Sequence, residues 1–128
     1  MREILFRGKN AKGEWEYGVP LITGLHSEIV YITQANSYTY RVEIDTVGQY
    51  TGLTDKNGKK IFEGDIGRYK QTDGVKSNGK LIICTGAVVY NEKTASFAVD
   101  GKYFDYFPIK DFEVIGNIHD NPELLKGE

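Results

Sequence analysis

Thr46-Val-Gly-Gln-Tyr-Thr-Gly-Leu-Thr-Asp-Lys-Asn-Gly-Lys-Lys-Ile-Phe-Glu-Gly-Asp-Ile66 holds the densest turn chemistry in the chain. Two glycine-containing turns, Asp55-Lys56-Asn57-Gly58 and Glu63-Gly64-Asp65, bracket the apolar pair Ile61-Phe62. Asp and Asn start turns by hydrogen bonding to nearby backbone, and glycine takes the positive φ that tight reversals need. The run therefore reads as a hairpin-rich hub that joins an N-terminal to a C-terminal set of strands.

Upstream, residues 3 to 7 alternate as a first strand ended at Gly8-Lys9-Asn10. Glu14-Trp15-Glu16-Tyr17 alternates strictly, which puts Trp15 and Tyr17 on one face, and Gly18 with Pro20 reads as its end. Glu28 to Thr33 is β-branched and aromatic. Tyr38 to Ile44 is the cleanest period-two segment, with Tyr38, Tyr40, Val42 and Ile44 on one side and Thr39, Arg41 and Glu43 on the other.

Downstream, Asp65 to Lys70 is a strand interrupted by Gly67, where a bulge or a close backbone approach is expected. Residues 71 to 80 read as a loop. Leu81 to Tyr90 is a buried strand bent at Gly86, and Ala95 to Val99 with Tyr103 to Phe107 forms a hairpin. Phe112 to Ile118 closes the sheet. Asn121-Pro122 allows one helical turn at most. Frequent turns without a sustained 3.6-residue period make the class all-β: antiparallel sheets or barrel-like lobes. Residues 1–128 are expected to form one domain, with possible lobes 1–52 and 61–118, a connecting hub 53–60 and a tail 119–128.

The chain's 128 residues are 40% hydrophobic and 27% charged, values that favour a packed core over disorder. A net charge of -2 and a pI near 5.7 argue against binding nucleic acid through bulk positive charge. The single cysteine, Cys84, rules out an intrachain disulfide and a cysteine-based zinc site. The N-terminal apolar segment is too short for a signal peptide and no run spans a membrane, so the cytoplasm is expected.

Few residues offer reactive chemistry. His26 and His119 lie in separate segments, and the adjacent His119 and Asp120 would point apart on a strand. Cys84 sits in apolar sequence with no base beside it and reads as a core thiol. Asp45, Asp55, Glu63 and Asp65 gather in or beside the hub, where turn formation is the simpler role. The Asp-x-Asn-Gly run lacks the later ligands of a calcium loop, and the glycines lack a phosphate-binding pattern. No catalytic residue, metal site or cofactor is expected, and the chain reads as a non-enzyme.

Nine tyrosines are the compositional oddity. Tyr31, Tyr38 and Tyr40, then Tyr103, Phe104, Tyr106 and Phe107, form a candidate interaction surface, because such side chains bury area while keeping a polar tip. A second copy of the chain is the simplest cover for it. The alternative is a β-barrel whose aromatic face stacks single-stranded nucleic acid, which the charge balance disfavours.

The central stretch also carries a resemblance. Thr46-Val-Gly-Gln-Tyr-Thr-Gly-Leu, Asp55-Lys-Asn-Gly and Ile61-Phe-Glu-Gly-Asp-Ile resemble the signature of the YopX-like family of phage and prophage proteins. The opening Met1-Arg-Glu-Ile-Leu-Phe-Arg-Gly with Trp15-Glu-Tyr-Gly, and the closing Glu113 to Leu125, are similar to that family's ends. Gly67 departs from it, since a hydrophobic residue is expected there. Gly48, Tyr50, Gly52, Asp55, Gly58, Gly64 and Asp65 are the motif positions expected to be structural. The resemblance implies a phage or prophage protein of uncharacterised activity in a bacterial host's cytoplasm, acting as a self-associating interaction or accessory module, with a phage or host protein as a possible further partner.

Overall fold

A computed structural model of the chain describes residues 3–22, 29–35, 38–72, 81–99, 102–103 and 110–125, with residues 71–72, 81, 102–103 and 110 described by backbone alone. The expected all-β class is what the chain adopts. The described strands are β1 (Phe6–Lys9), β2 (Trp15–Ile22), β3 (Val30–Thr33), β4 (Thr39–Val42), β5 (Gly48–Thr54), β6 (Lys60–Phe62), β7 (Asp65–Thr72), β8 (Leu81–Asn91), β9 (Ser96–Val99), β10 (Lys102–Tyr103) and β11 (Lys110–Asn117). They form two open antiparallel sheets, ordered β4-β3-β2-β1-β5-β6 and β10-β9-β8-β7-β11, so neither is a closed barrel. The chain divides into two compact units, residues 1–52 and 53–128, with β5 running through the boundary at Gly52, whose φ is +90°.

In the first unit Val30, Ile32 and Val42 form the core, with Phe6 and Val47 packed against them. Cross-strand partners share a face of a sheet. The pairs Val30 with Val42 and Ile32 with Tyr40 therefore define an inner face, and Tyr31 with Arg41 defines the outer one. The sheet curls: the Glu43 N–H donates to the Lys9 carbonyl at 2.8 Å, and the Lys9 N–H donates to Thr46 Oγ1 at 2.8 Å. Ile44 belongs to a 3-10 turn, Ile44–Thr46, and is exposed there; the end of β4 has already turned back to β1.

Several strand ends move, β7 among them running to Thr72 into the expected loop, and two shifts have a clear cause. The first strand starts at Phe6, not residue 3, because its partners begin at Gly18 and Gln49. More consequentially, β2 does not stop at Gly18 and Pro20. Its pairing with β1 ends at Gly18, and from Val19 to Ile22 its register is with β3. Pro20 therefore meets an edge condition, where a missing N–H is tolerated. Gly18 is required by closeness: a Cβ there would collide with the Thr33 carbonyl oxygen.

The second unit is built on the hub. Its core is Ile61, Tyr69, Val88, Val99 and Phe112, joined by Cys84, Phe97 and Val114. The Glu63-Gly64 turn, with Gly64 at φ +91°, is tied on both sides. The Gly64 N–H donates to the Val88 carbonyl at 2.8 Å, and the Gly64 carbonyl accepts from the Ile118 N–H at 2.8 Å. The last described element is the expected single turn, Pro122–Leu125, which follows Asn121 and packs against β8.

Gly67 is explained by an aromatic ring. A Cβ at Gly67 would overlap the Phe112 ring, which covers the bare backbone and stacks on Tyr69 with centroids 6.2 Å apart and planes 24° apart. The ladder is irregular at Gly67 as anticipated, with the extra residue on the partner strand: the register of β11 shifts between Val114, opposite Gly67, and Gly116, opposite Ile66. A second shift lies between Lys110 and Glu113, where Asp111 adopts φ +57°. The bulge at Asp111 precedes Phe112, the residue that fills the space above Gly67.

Phe112→Ala is expected to cost about 3 kcal/mol in urea unfolding, through the cavity it leaves. Gly67→Val should destabilise the protein strongly alone, yet add little to Phe112→Ala, because the two compete for one volume. Additive costs would show that the ring and the glycine are independent.

Candidate interaction surface

The hub carboxylates are engaged with backbone. Asp55 is buried; its Oδ1 accepts from the N–H groups of Asn57 and Lys59, both at 2.9 Å, and its Oδ2 accepts from the Val114 N–H at 3.0 Å. The Lys56 N–H donates to the Phe112 carbonyl at 2.9 Å, so the turn is fastened to β11 twice. Asp65 is buried and accepts from the Phe62 N–H at 2.7 Å across its own turn. Other motif residues are placed in keeping with their types. Gly48 is buried opposite Arg7, Tyr50 is buried and its N–H donates to the Leu5 carbonyl, and Gly58 has φ +83° with its N–H donating to the Asp55 carbonyl.

Remaining candidates for chemistry are dispersed. Cys84 is half-buried against the second unit's core. His119 is half-buried in a turn where Asn117 Oδ1 accepts from the His119 and Asp120 N–H groups at 3.0 and 2.9 Å. His26 lies outside the described residues. Among the described residues no group of three or more His, Cys, Asp or Glu is placed to hold a metal ion.

Among the described residues the tyrosines of the first unit divide between two faces. Tyr38 and Tyr40 touch, with ring centroids 6.5 Å apart, and Tyr40 shares the inner face with Ile32. Tyr31 lies on the opposite, outer face, because it pairs with Arg41 one register step away. Tyr103 is placed by its backbone on β10 opposite Ala98, and Phe104, Tyr106 and Phe107 lie outside the described residues.

The outer face of the first unit brings together a different set. Its register aligns Lys9 with Trp15, Arg7 with Tyr17, Val19 with Thr33, Leu21 with Tyr31, and Tyr31 with Arg41. Along β2 this places Trp15, Tyr17, Val19 and Leu21 in one row. Tyr17, Val19 and Leu21 are 44%, 54% and 53% exposed, a run of large apolar side chains left facing outward. The Arg7 guanidinium lies 4.4 Å from the Trp15 ring centroid and Lys9 Nζ lies 5.4 Å from it, both within cation-π range. The acidic side chain of β1–β4, Glu16, is on the inner face and accepts from Asn10 Nδ2 and Gln34 Nε2. Sequence reading missed Val19 and Leu21, although the alternation begun at Trp15 and Tyr17 runs straight through them.

A family model described as YopX protein matches residues 6–126. Among solved structures, the crystal structure of protein EF1440 from Enterococcus faecalis is similar, with a TM-score of 0.63 and 24% sequence identity over 98% of this chain and 100% of that one. That likeness is one of fold. No curated protein matches.

Asp55 supplies a pH test. Burial alone pushes its carboxyl up, but the Val114, Lys59 and Asn57 N–H donors and the Lys59 cation together hold it below its ordinary value of 3.8. A group with a depressed folded-state pKa stabilises fully above its unfolded value, and that contribution is lost as pH falls through the folded value. Asp55→Asn should therefore cost about 2 kcal/mol at neutral pH and flatten the acid limb of a stability-pH profile from urea titrations. An unchanged acid limb would show that the Asp55 charge does not hold the turn.

Proposed function

The chain belongs to the YopX family, and on that footing we propose that it is a phage or prophage interaction or accessory module without catalytic activity, self-associating and working in its bacterial host's cytoplasm. The observation that carries the reading is the outward row of Tyr17, Val19 and Leu21, built on a rigid curled sheet. Exposed apolar side chains in a continuous row mark a surface that gains free energy when covered. What supports a non-enzymatic role is the use of the hub's buried carboxylates: Asp55 and Asp65 accept from backbone amides that the turns would otherwise leave unsatisfied.

Self-association fits a different place from the outer row. β4 is an edge strand of its sheet, and Tyr38, 64% exposed, stands beside it against Tyr40. Edge-to-edge pairing of two copies along β4 would extend the sheet through main-chain hydrogen bonds and cover both tyrosines. It would leave the outer face open. A family resemblance to phage and prophage proteins supports the setting.

Light scattering should give a solution mass of at least two chains. Tyr38→Lys, which puts a charge at the edge, should return the mass to one chain with circular dichroism unchanged. A wild-type monomer at every concentration would overturn the self-association.

A further inference from the structure

We infer that the second unit guards its own sheet edge: the hub turn, helped by the C-terminal turn, closes β11 to a strand from a second copy of the chain, so strand pairing between chains falls to the first unit. The second sheet ends in β10 and β11. β10 is two residues long, a length that blunts an edge. β11 spans eight residues, and an edge of that length ordinarily offers a row of amides and carbonyls to any extended chain.

In this unit the row is already engaged from within the chain. The two register shifts of β11 leave two regularly paired stretches, residues 113–114 and 116–117. The hub turn covers the first. Off the β7 ladder, the Val114 N–H donates to Asp55 Oδ2 at 3.0 Å and the Phe112 carbonyl accepts from the Lys56 N–H at 2.9 Å. Between those two bonds the Asn57 side chain donates to Glu113 Oε2 at 3.2 Å. Asn121 covers the second stretch alone: its Oδ1 accepts from the Asn117 N–H at 3.3 Å, and its own N–H donates to the Asn117 carbonyl at 2.8 Å. Its approach is close, since a Cβ at Gly116 would collide with Asn121 Oδ1. Neither cover is a strand of the sheet, yet each supplies the donor and the acceptor that a neighbouring antiparallel strand would bring. A foreign strand would have to displace both.

Asp55→Asn separates the cover from the turn that carries it. The amide oxygen still accepts from the Asn57 and Lys59 N–H groups, whereas the NH2 group faces the Val114 N–H and cannot accept from it. In a Tyr38→Lys background, where the β4 edge is charged, light scattering of Asp55→Asn should show a mass that rises with concentration to about twice that of the background protein. Amide exchange at Val114 should speed by about tenfold in dilute solution, the worth of one hydrogen bond, and slow again as the assemblies form. Two controls should stay at the background mass: Asp45→Asn, which removes the same charge from an exposed site, and Val88→Ala, which weakens the core away from this edge. The inference is overturned by an Asp55→Asn protein that stays at the background mass, by equal growth in either control, or by assemblies in which Val114 exchanges as fast as in dilute solution. Because mass is read against the Tyr38→Lys protein, failure here leaves the β4 pairing untouched, and a Tyr38→Lys protein larger than one chain counts against that pairing alone.

Discussion

The second unit depends on a carboxylate, Asp55, engaged by backbone amides. Asp55 gathers three backbone N–H groups, two from its own turn and one from Val114 on β11, fifty-nine residues on. Tight reversals leave amides pointing inward, and a buried amide without an acceptor costs free energy comparable to a lost hydrogen bond. One side chain answers three of them. Because its third donor belongs to a distant strand, closing the turn and seating β11 become one event. Phe112, whose carbonyl accepts from the Lys56 N–H, is held beside this clasp, and its ring then covers Gly67.

That arrangement bears on what the hub can do. A carboxylate used as an acid, a base or a metal ligand needs a lone pair turned toward a substrate or ion. Asp55 spends both oxygens on backbone, and Asp65 turns one to the Phe62 amide. Asp55 and Asp65 therefore serve the turns that hold them. The neighbouring Glu63-Gly64 turn is likewise consumed, its amide and carbonyl both taken by Val88 and Ile118.

Turn chemistry and alternation were legible. The paired turns of the hub, the all-β class and the single C-terminal turn follow from Asp, Asn, Gly and Pro spacing alone. Faces were legible only within a strand, not between strands. Tyr31 and Tyr40 look like members of one cluster until the register aligns Ile32 with Tyr40 and Tyr31 with Arg41, which puts them on opposite sides. That register depends on the loop joining the strands, and nothing in the residue types of Tyr31 or Tyr40 fixes it. Gly18 and Pro20 misled for a related reason: both are strand breakers in isolation, and their tolerance comes from a neighbour that ends at Gly18 and a carbonyl that crowds it. The left-handed Asp111 had no signal, since the bulge exists to aim Phe112 at a glycine forty-five residues earlier.

Net charge was the least informative number of all, for a physical reason. A sheet exposes its residues two by two to opposite faces, so one strand can send its acid inward and its neighbours' bases outward. In β1–β4 Glu16 turns to Asn10 and Gln34 on one face, while Lys9, Arg41 and an Arg7 buried against the Trp15 ring lie on the other. The parity of residues along short strands, more than the sum of their charges, therefore decides which side chains share a face.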